Sequence, residues 1–224
     1  MRIFLNIIGL LGLFVLVGST PINKINSPGN SLLFFTESLP FEPNQVYLIL
    51  RGSDTKLSGF AKRYNNAHPK ASHVALAIYT DSLRIYHVNT TDSRRDNLLM
   101  QSLDEFSYHP KGKHTYFGAW KLKNVSPTDL QLMQEKISYF KTKDVRFDYR
   151  FDFKSDQKLY CSEFIYKVLT HTQNSNFKLP LTTKVVPKEH RFFLKTDTLT
   201  FYPTDFFLAL KSLEFVGEWH SDSP

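Results

Sequence analysis

One cysteine, Cys161, stands in 224 residues, so no internal disulfide can form and a disulfide scaffold is excluded. No cysteine follows the apolar run at the N-terminus, which rules out a bacterial lipoprotein anchor. Zinc-knuckle spacings, a glycine-rich phosphate loop and nucleic-acid signatures are missing, as are internal repeats and low-complexity segments. Lys and Arg total 28 against 21 Asp and Glu, a net charge of +7, yet no long basic block occurs. Such scattered charge reads as a solvated basic surface, able to approach an acidic polymer or an anionic envelope surface, with no nucleic-acid partner. The longest apolar run, Ile3 to Val17, is broken by Asn6 and two glycines and falls short of the roughly twenty residues a spanning helix needs.

That run follows Met1-Arg2 and ends in Gly18-Ser19-Thr20-Pro21, the layout of a secretory signal peptide over 1–20. Its removal leaves residues 21–224, a length that suits one domain with a sizeable core. An exported location, periplasmic or in the cell envelope, is the expectation. A lone cysteine in an oxidising compartment is either a liability or kept for its chemistry.

Along the remaining chain, residues 21–44 read as a proline-rich loop around Leu32-Leu33-Phe34-Phe35, and Gln45–Arg51 as a buried strand stopped by Gly52-Ser53-Asp54. A short helix is expected near Phe60–Tyr64. His73–Tyr79 and Leu83–Asn89 flank the polar turn Thr80-Asp81-Ser82 and predict a hairpin. Leu98–Met100 and Thr115–Trp120 are further strands. Ser126-Pro127-Thr128-Asp129 carries an N-cap, a first-turn proline and a first-turn acid, and Leu130, Met133, Ile137 and Phe140 then mark one apolar helix face. Residues 144–158 read as a loop or irregular strand, the chain after Leu169 as irregular through Pro187, residues 206–210 as a short helix and 213–219 as a last strand. The strand-rich middle with few helices predicts an α+β fold.

Phe164, Ile165, Val168 and Leu169 follow Cys161 at helical spacing, so the thiol stands at a helix start. Unpaired backbone N–H groups and the helix dipole favour the thiolate there. A nucleophilic cysteine needs a base and an orienting group. In a hairpin centred on Asp81, opposed positions sum to 162, so His73 and His87 become diagonal neighbours on one face, roughly 7–8 Å apart, a gap their side chains can close. If that face packs on the start of the Cys161 helix, the three groups converge. The other histidines, His68, His109, His114, His171, His190 and His220, read as surface or core residues. Neither His73, His87 and Cys161 nor His109 and His114 have the compact spacing of a zinc site, and no metal or other cofactor is expected.

Arg51-Gly52-Ser53, Ser72-His73-Val74-Ala75, Ile85-Tyr86-His87 and Tyr160-Cys161-Ser162-Glu163-Phe164 resemble, in that order, the YiiX and YaeF group of permuted papain-like amidases, a branch of the NlpC-type cell-wall peptidase superfamily. The aromatic run Phe147-Asp148-Tyr149 and the stretch Pro203-Thr204-Asp205 add to it. The chain departs from that group where Asn44-Gln45 replaces a Gly-Asp pair and where a histidine holds a third position that is often acidic. The resemblance implies a circularly permuted papain-like fold, an antiparallel sheet packed against the cysteine helix, with Cys161 as nucleophile, His73 as base and His87 as orienter. It implies an exported cysteine amidase or peptidase acting on a peptide or acyl substrate, with cell-wall peptides as one class. Tyr160, Ser162 and Glu163 are candidate substrate or oxyanion groups beside the Cys161 N–H. A lipid-directed acyl hydrolase or acyltransferase and a catalytically silent binding protein are the alternative readings.

Overall fold

The computed structural model describes residues 28–90, 97–108, 113–153 and 155–221; the expected signal peptide lies outside them. In chain order the elements are α1 (Pro28–Ser38), β1 (Gln45–Ser53), α2 (Lys56–Arg63), β2 (His73–Tyr79), β3 (Leu83–Val88), β4 (Leu98–Gln101), α3 (Leu103–Ser107), β5 (His114–Leu122), α4 (Pro127–Lys141), β6 (Arg146–Phe147), β7 (Lys158–Leu159), α5 (Cys161–His171), β8 (Thr182–Val185), α6 (Lys188–Leu194), β9 (Thr198–Phe201) and β10 (Leu213–His220). The result is a mixed α+β fold. No helix among the described residues is long and apolar enough to cross a membrane.

Six strands form one antiparallel sheet in the order β10-β5-β1-β2-β3-β4. The central strands β1 and β2 are apolar on both faces because both faces are covered. Leu48, Leu50, Val74, Leu76 and Ile78 face the core built with α4 and α5, and Tyr47, Ile49, Ala75, Ala77 and Ile85 face a second cluster with Leu32, Leu39 and Phe106. The hairpin register pairs Leu76 with Tyr86 and Tyr79 with Leu83, sums of 162 as the turn at Asp81 requires.

Gly52 permits the close approach that sets the start of β2. A Cβ there would lie 2.1 Å from the Lys70 carbonyl oxygen, a backbone atom that cannot move aside cheaply.

α4 starts as its sequence dictates: Ser126 accepts from the Asp129 N–H, the Asp129 carboxylate accepts from the Ser126 N–H, and Pro127 opens the helix. Two segments differ from the sequence reading. Residues 28–38 are helical, with Pro28 at a helix start where its missing N–H costs nothing, and with Leu32 and Thr36 buried. The stretch after Leu169 contains β8, α6 and β9, a small hairpin whose strands are too short and too polar to announce themselves.

Candidate active site

Four polar residues cross the sheet on one face. Arg51 on β1 is directly opposite His73 on β2; His87 on β3 and Gln101 on β4 continue the row by the same alternation. The imidazoles meet, with His73 Nε2 and His87 Nδ1 2.8 Å apart, and His87 Nε2 lies 2.7 Å from Gln101 Oε1. An amide oxygen only accepts, so His87 carries its proton on Nε2 and its Nδ1 accepts from His73 Nε2–H. A neutral His73 then holds its lone pair on Nδ1, the nitrogen the relay leaves over. Phe106 packs against both rings, at centroid separations of 6.1 Å and 5.0 Å. Burial, and secondarily the Arg51 charge, hold His87 down to about 3; His73 is lowered well below the ordinary imidazole value by burial, Arg51, His87 and His114. Both rings are therefore neutral near pH 7.

The histidine face is not the face on which α5 lies. The apolar side of α5, with Phe164, Ile165 and Val168, packs on the opposite side of β2 against Val74, Leu76 and Ile78, which corrects the expectation that the two histidines sit beneath the helix. Convergence happens at the strand end. The β2–β3 pairing stops at Leu76–Tyr86, and the start of α5 comes against Val74, whose N–H acts on the Cys161 sulfur together with those of Ser162 and Cys161. These donors favour the thiolate, as a helix start should. Burial outweighs them, leaving the thiol pKa raised, with Cys161 only 8% exposed. No hydrogen bond joins His73 to the thiol, although both line one cavity.

That cavity, 670 Å³ in volume, has two walls. Arg51, Ser53, Ser72, His73 and Gln101 make one polar, and Phe60, Tyr64, Phe147, Phe151 and Phe201 make the other aromatic. Phe151 holds a φ of 55°, strained for so bulky a residue, while the Asp148 carboxylate accepts from the Arg150 and Asp152 N–H groups and fixes that loop.

The remaining candidates divide. Ser162 lines the cavity but donates its hydroxyl to the Tyr202 carbonyl at 2.7 Å, and the Tyr160 hydroxyl accepts from the Tyr202 N–H at 3.0 Å, so both tie α5 to the segment after β9. Glu163 does not line the cavity. Fully buried, it accepts from the Tyr160 N–H and pairs with Lys167 at 2.9 Å, the cheaper capping role available to an acid in a first turn.

Sequence reasoning missed three residues. Gln101 ends the histidine relay, Arg51 brings a charge to the cavity, and Asp205 accepts from the Asn66, Ala67 and His68 N–H groups, anchoring the loop that leads into His73. Arg51 and Asp205 had a signal, their places in Arg51-Gly52-Ser53 and Pro203-Thr204-Asp205, and Gln101 had none.

Among solved structures the chain is similar to the crystal structure of metalloprotein yiiX from Escherichia coli, DUF1105, with a TM-score of 0.59 and 13% identity over 80% of this chain and 99% of that one. The chain has a YiiX-like fold. No family model matches it, and no curated protein does. At this identity the likeness to YiiX extends to the fold alone. Among the described residues no three His, Cys, Asp or Glu side chains are placed to hold a metal ion.

Proposed function

We propose that the chain is an exported cysteine hydrolase that cleaves an amide or other acyl bond, within a circularly permuted papain-like, NlpC-type fold, with cell-wall peptides of the envelope as a substrate class. The observation that carries this reading is the His73–His87–Gln101 relay opening into the same cavity as the one cysteine of the chain, itself at a helix start. A surface or core histidine needs no such neighbour.

With the thiol pKa raised and that of His73 lowered, the resting site holds a neutral thiol and a neutral imidazole. As Cys161 sulfur attacks the carbonyl carbon, its proton passes to His73 Nδ1, and the His73 Nε2–H bond to His87 keeps the ring oriented and spreads the new charge. The Cys161 N–H at the start of α5 faces the developing oxyanion. His73 then protonates the leaving group, a thioester forms, and water activated by His73 releases the acid and returns the proton to sulfur.

YiiX is described as a metalloprotein, a description of that protein and not of this chain. His73 Nε2 and His87 Nδ1 face each other at hydrogen-bond distance, which takes one nitrogen of each ring from any shared ion. A second reading, a lipid-directed acyl hydrolase or acyltransferase, is favoured by the aromatic wall of the cavity, which suits a long apolar acyl chain. Both readings use the same residues.

A panel of cell-wall peptides and acyl lipids tests the proposal. Turnover by the wild type that disappears in Cys161→Ala and falls about 10²–10⁴-fold in His73→Ala is the expected result. Turnover retained by Cys161→Ala sinks the mechanism, and binding of a panel member without turnover by the wild type turns the chain into a recognition protein.

A further inference from the structure

Among the described residues Arg51 is the one cationic side chain in the cavity lining, and the protein leaves most of it unused. Its Nη1 donates to the Phe106 carbonyl oxygen at 2.7 Å, and its guanidinium carbon stands 4.3 Å over the Phe106 ring. These contacts occupy one of the five N–H groups a guanidinium carries, and no carboxylate pairs with it among the described residues. Arg51 is half-buried in the cavity wall, and the desolvation of its guanidinium pulls its pKa down to about 10. Burying an unpaired charge is costly, and a structural strut for α3 would be served by a neutral donor. The acid of the described cavity lining, Glu105, is at the exposed rim, where it accepts from the Ser102 N–H.

The position is specific. Arg51 is directly opposite His73, on the strand beside it, and its charge is felt by both His73 and Cys161. The Phe106 contacts fix the group before any ligand arrives, which lowers the ordering cost of binding. A planar guanidinium with free donors matches a carboxylate.

We infer that Arg51 forms a substrate subsite for a carboxylate carried next to the bond that Cys161 attacks, so that the substrates are acidic acyl compounds, such as peptides with a free carboxylate beside the scissile amide. This rests on the hydrolase reading for the role of Cys161, but its test does not need turnover. The specificity wall is then Arg51 for the acid and the aromatic wall for the remainder of the ligand.

The single thiol makes the test direct: intact mass reports alkylation of Cys161 and nothing else. Labelling rates with iodoacetate, which bears a carboxylate one carbon from the reacting centre, and with neutral iodoacetamide are measured at pH 8, each relative to the same chain unfolded in urea. In both reactions the sulfur–carbon bond forms as iodide leaves. The folded wild type should prefer iodoacetate by about tenfold over the unfolded chain, the ratio that one charge-assisted hydrogen bond supplies. Arg51→Gln should bring the ratio back to that of the unfolded chain, and Arg51→Lys should keep part of it. Using the ratio cancels any general change in thiol reactivity, and His73 is present in every arm. A wild-type ratio equal to the unfolded one, or an undiminished ratio in folded Arg51→Gln, overturns the inference. A second measurement needs no variant: at matched ionic strength, succinate should slow iodoacetamide labelling of the wild type and succinamide should not. Equal protection by the two also overturns the subsite. Hydrolase activity with no iodoacetate preference would remove the subsite and keep the enzyme; preference without turnover would do the reverse.

Discussion

His73 Nε2 lies 2.8 Å from His87 Nδ1, so two imidazoles from adjacent strands share one proton position and neither can be charged without the other responding. The direction of that bond is set one strand further out, by Gln101 Oε1 on His87 Nε2.

Gln101→Leu should therefore lower kcat about tenfold, with a smaller change in KM, since it removes the orientation of the base. The stranded His87 N–H costs about 1–3 kcal/mol of stability, read from chemical denaturation. Gln101→Glu keeps an acceptor and should restore turnover, with the acid limb of the pH–rate profile moved upward, because a carboxylate favours the imidazolium. Full activity in Gln101→Leu would remove the relay from the mechanism.

The buried thiol gives a second expectation. Iodoacetamide labelling of the folded chain should titrate with a midpoint above that of the same cysteine in the unfolded chain, because burial exceeds the pull of the Val74, Ser162 and Cys161 N–H groups. A midpoint well below that of the unfolded chain would reveal a preformed thiolate and reverse the order of proton transfer described above.

Glu163 supplies a test in stability. Burial raises its carboxyl to about 7, with the hydrogen bond and charge of Lys167 acting against the shift and Asp148 adding to it. Its folded pKa lies above its unfolded one, so its contribution is fully present below the ordinary carboxylate value and is lost as pH rises to about 7. His87, lowered to about 3, works in the other sense: its contribution is complete above the ordinary imidazole value and lost as pH falls through the acid range. The wild-type profile mixes the two. The difference in Tm between Glu163→Gln and wild type isolates the first, and it should become more favourable to the variant by a few degrees between pH 5 and pH 8. A difference independent of pH would contradict the raised carboxyl.

Local chemistry made much of this chain legible from its residues. Ser126, Pro127 and Asp129 wrote the start of α4 within a single turn of backbone, and Thr80-Asp81-Ser82 fixed the hairpin register, which places His73 and His87 on one face because strand side chains alternate with period two. Helical spacing after Cys161 set the thiol at the start of α5. α1 was hidden because Pro28-Gly29 reads as a break, and only packing on the second face of the sheet decides for a helix there. Which side of β2 the cysteine helix would cover, that Gln101 would end the relay, that Arg51 would reach the cavity without an acidic partner among the described residues, and that burial would outweigh the helix start at the thiol were decided by the tertiary structure alone. Each depends on which atoms stand within a few ångströms across strands distant in sequence, and the desolvation that sets the charges of His73, His87 and Cys161 exists only once the core has closed around them.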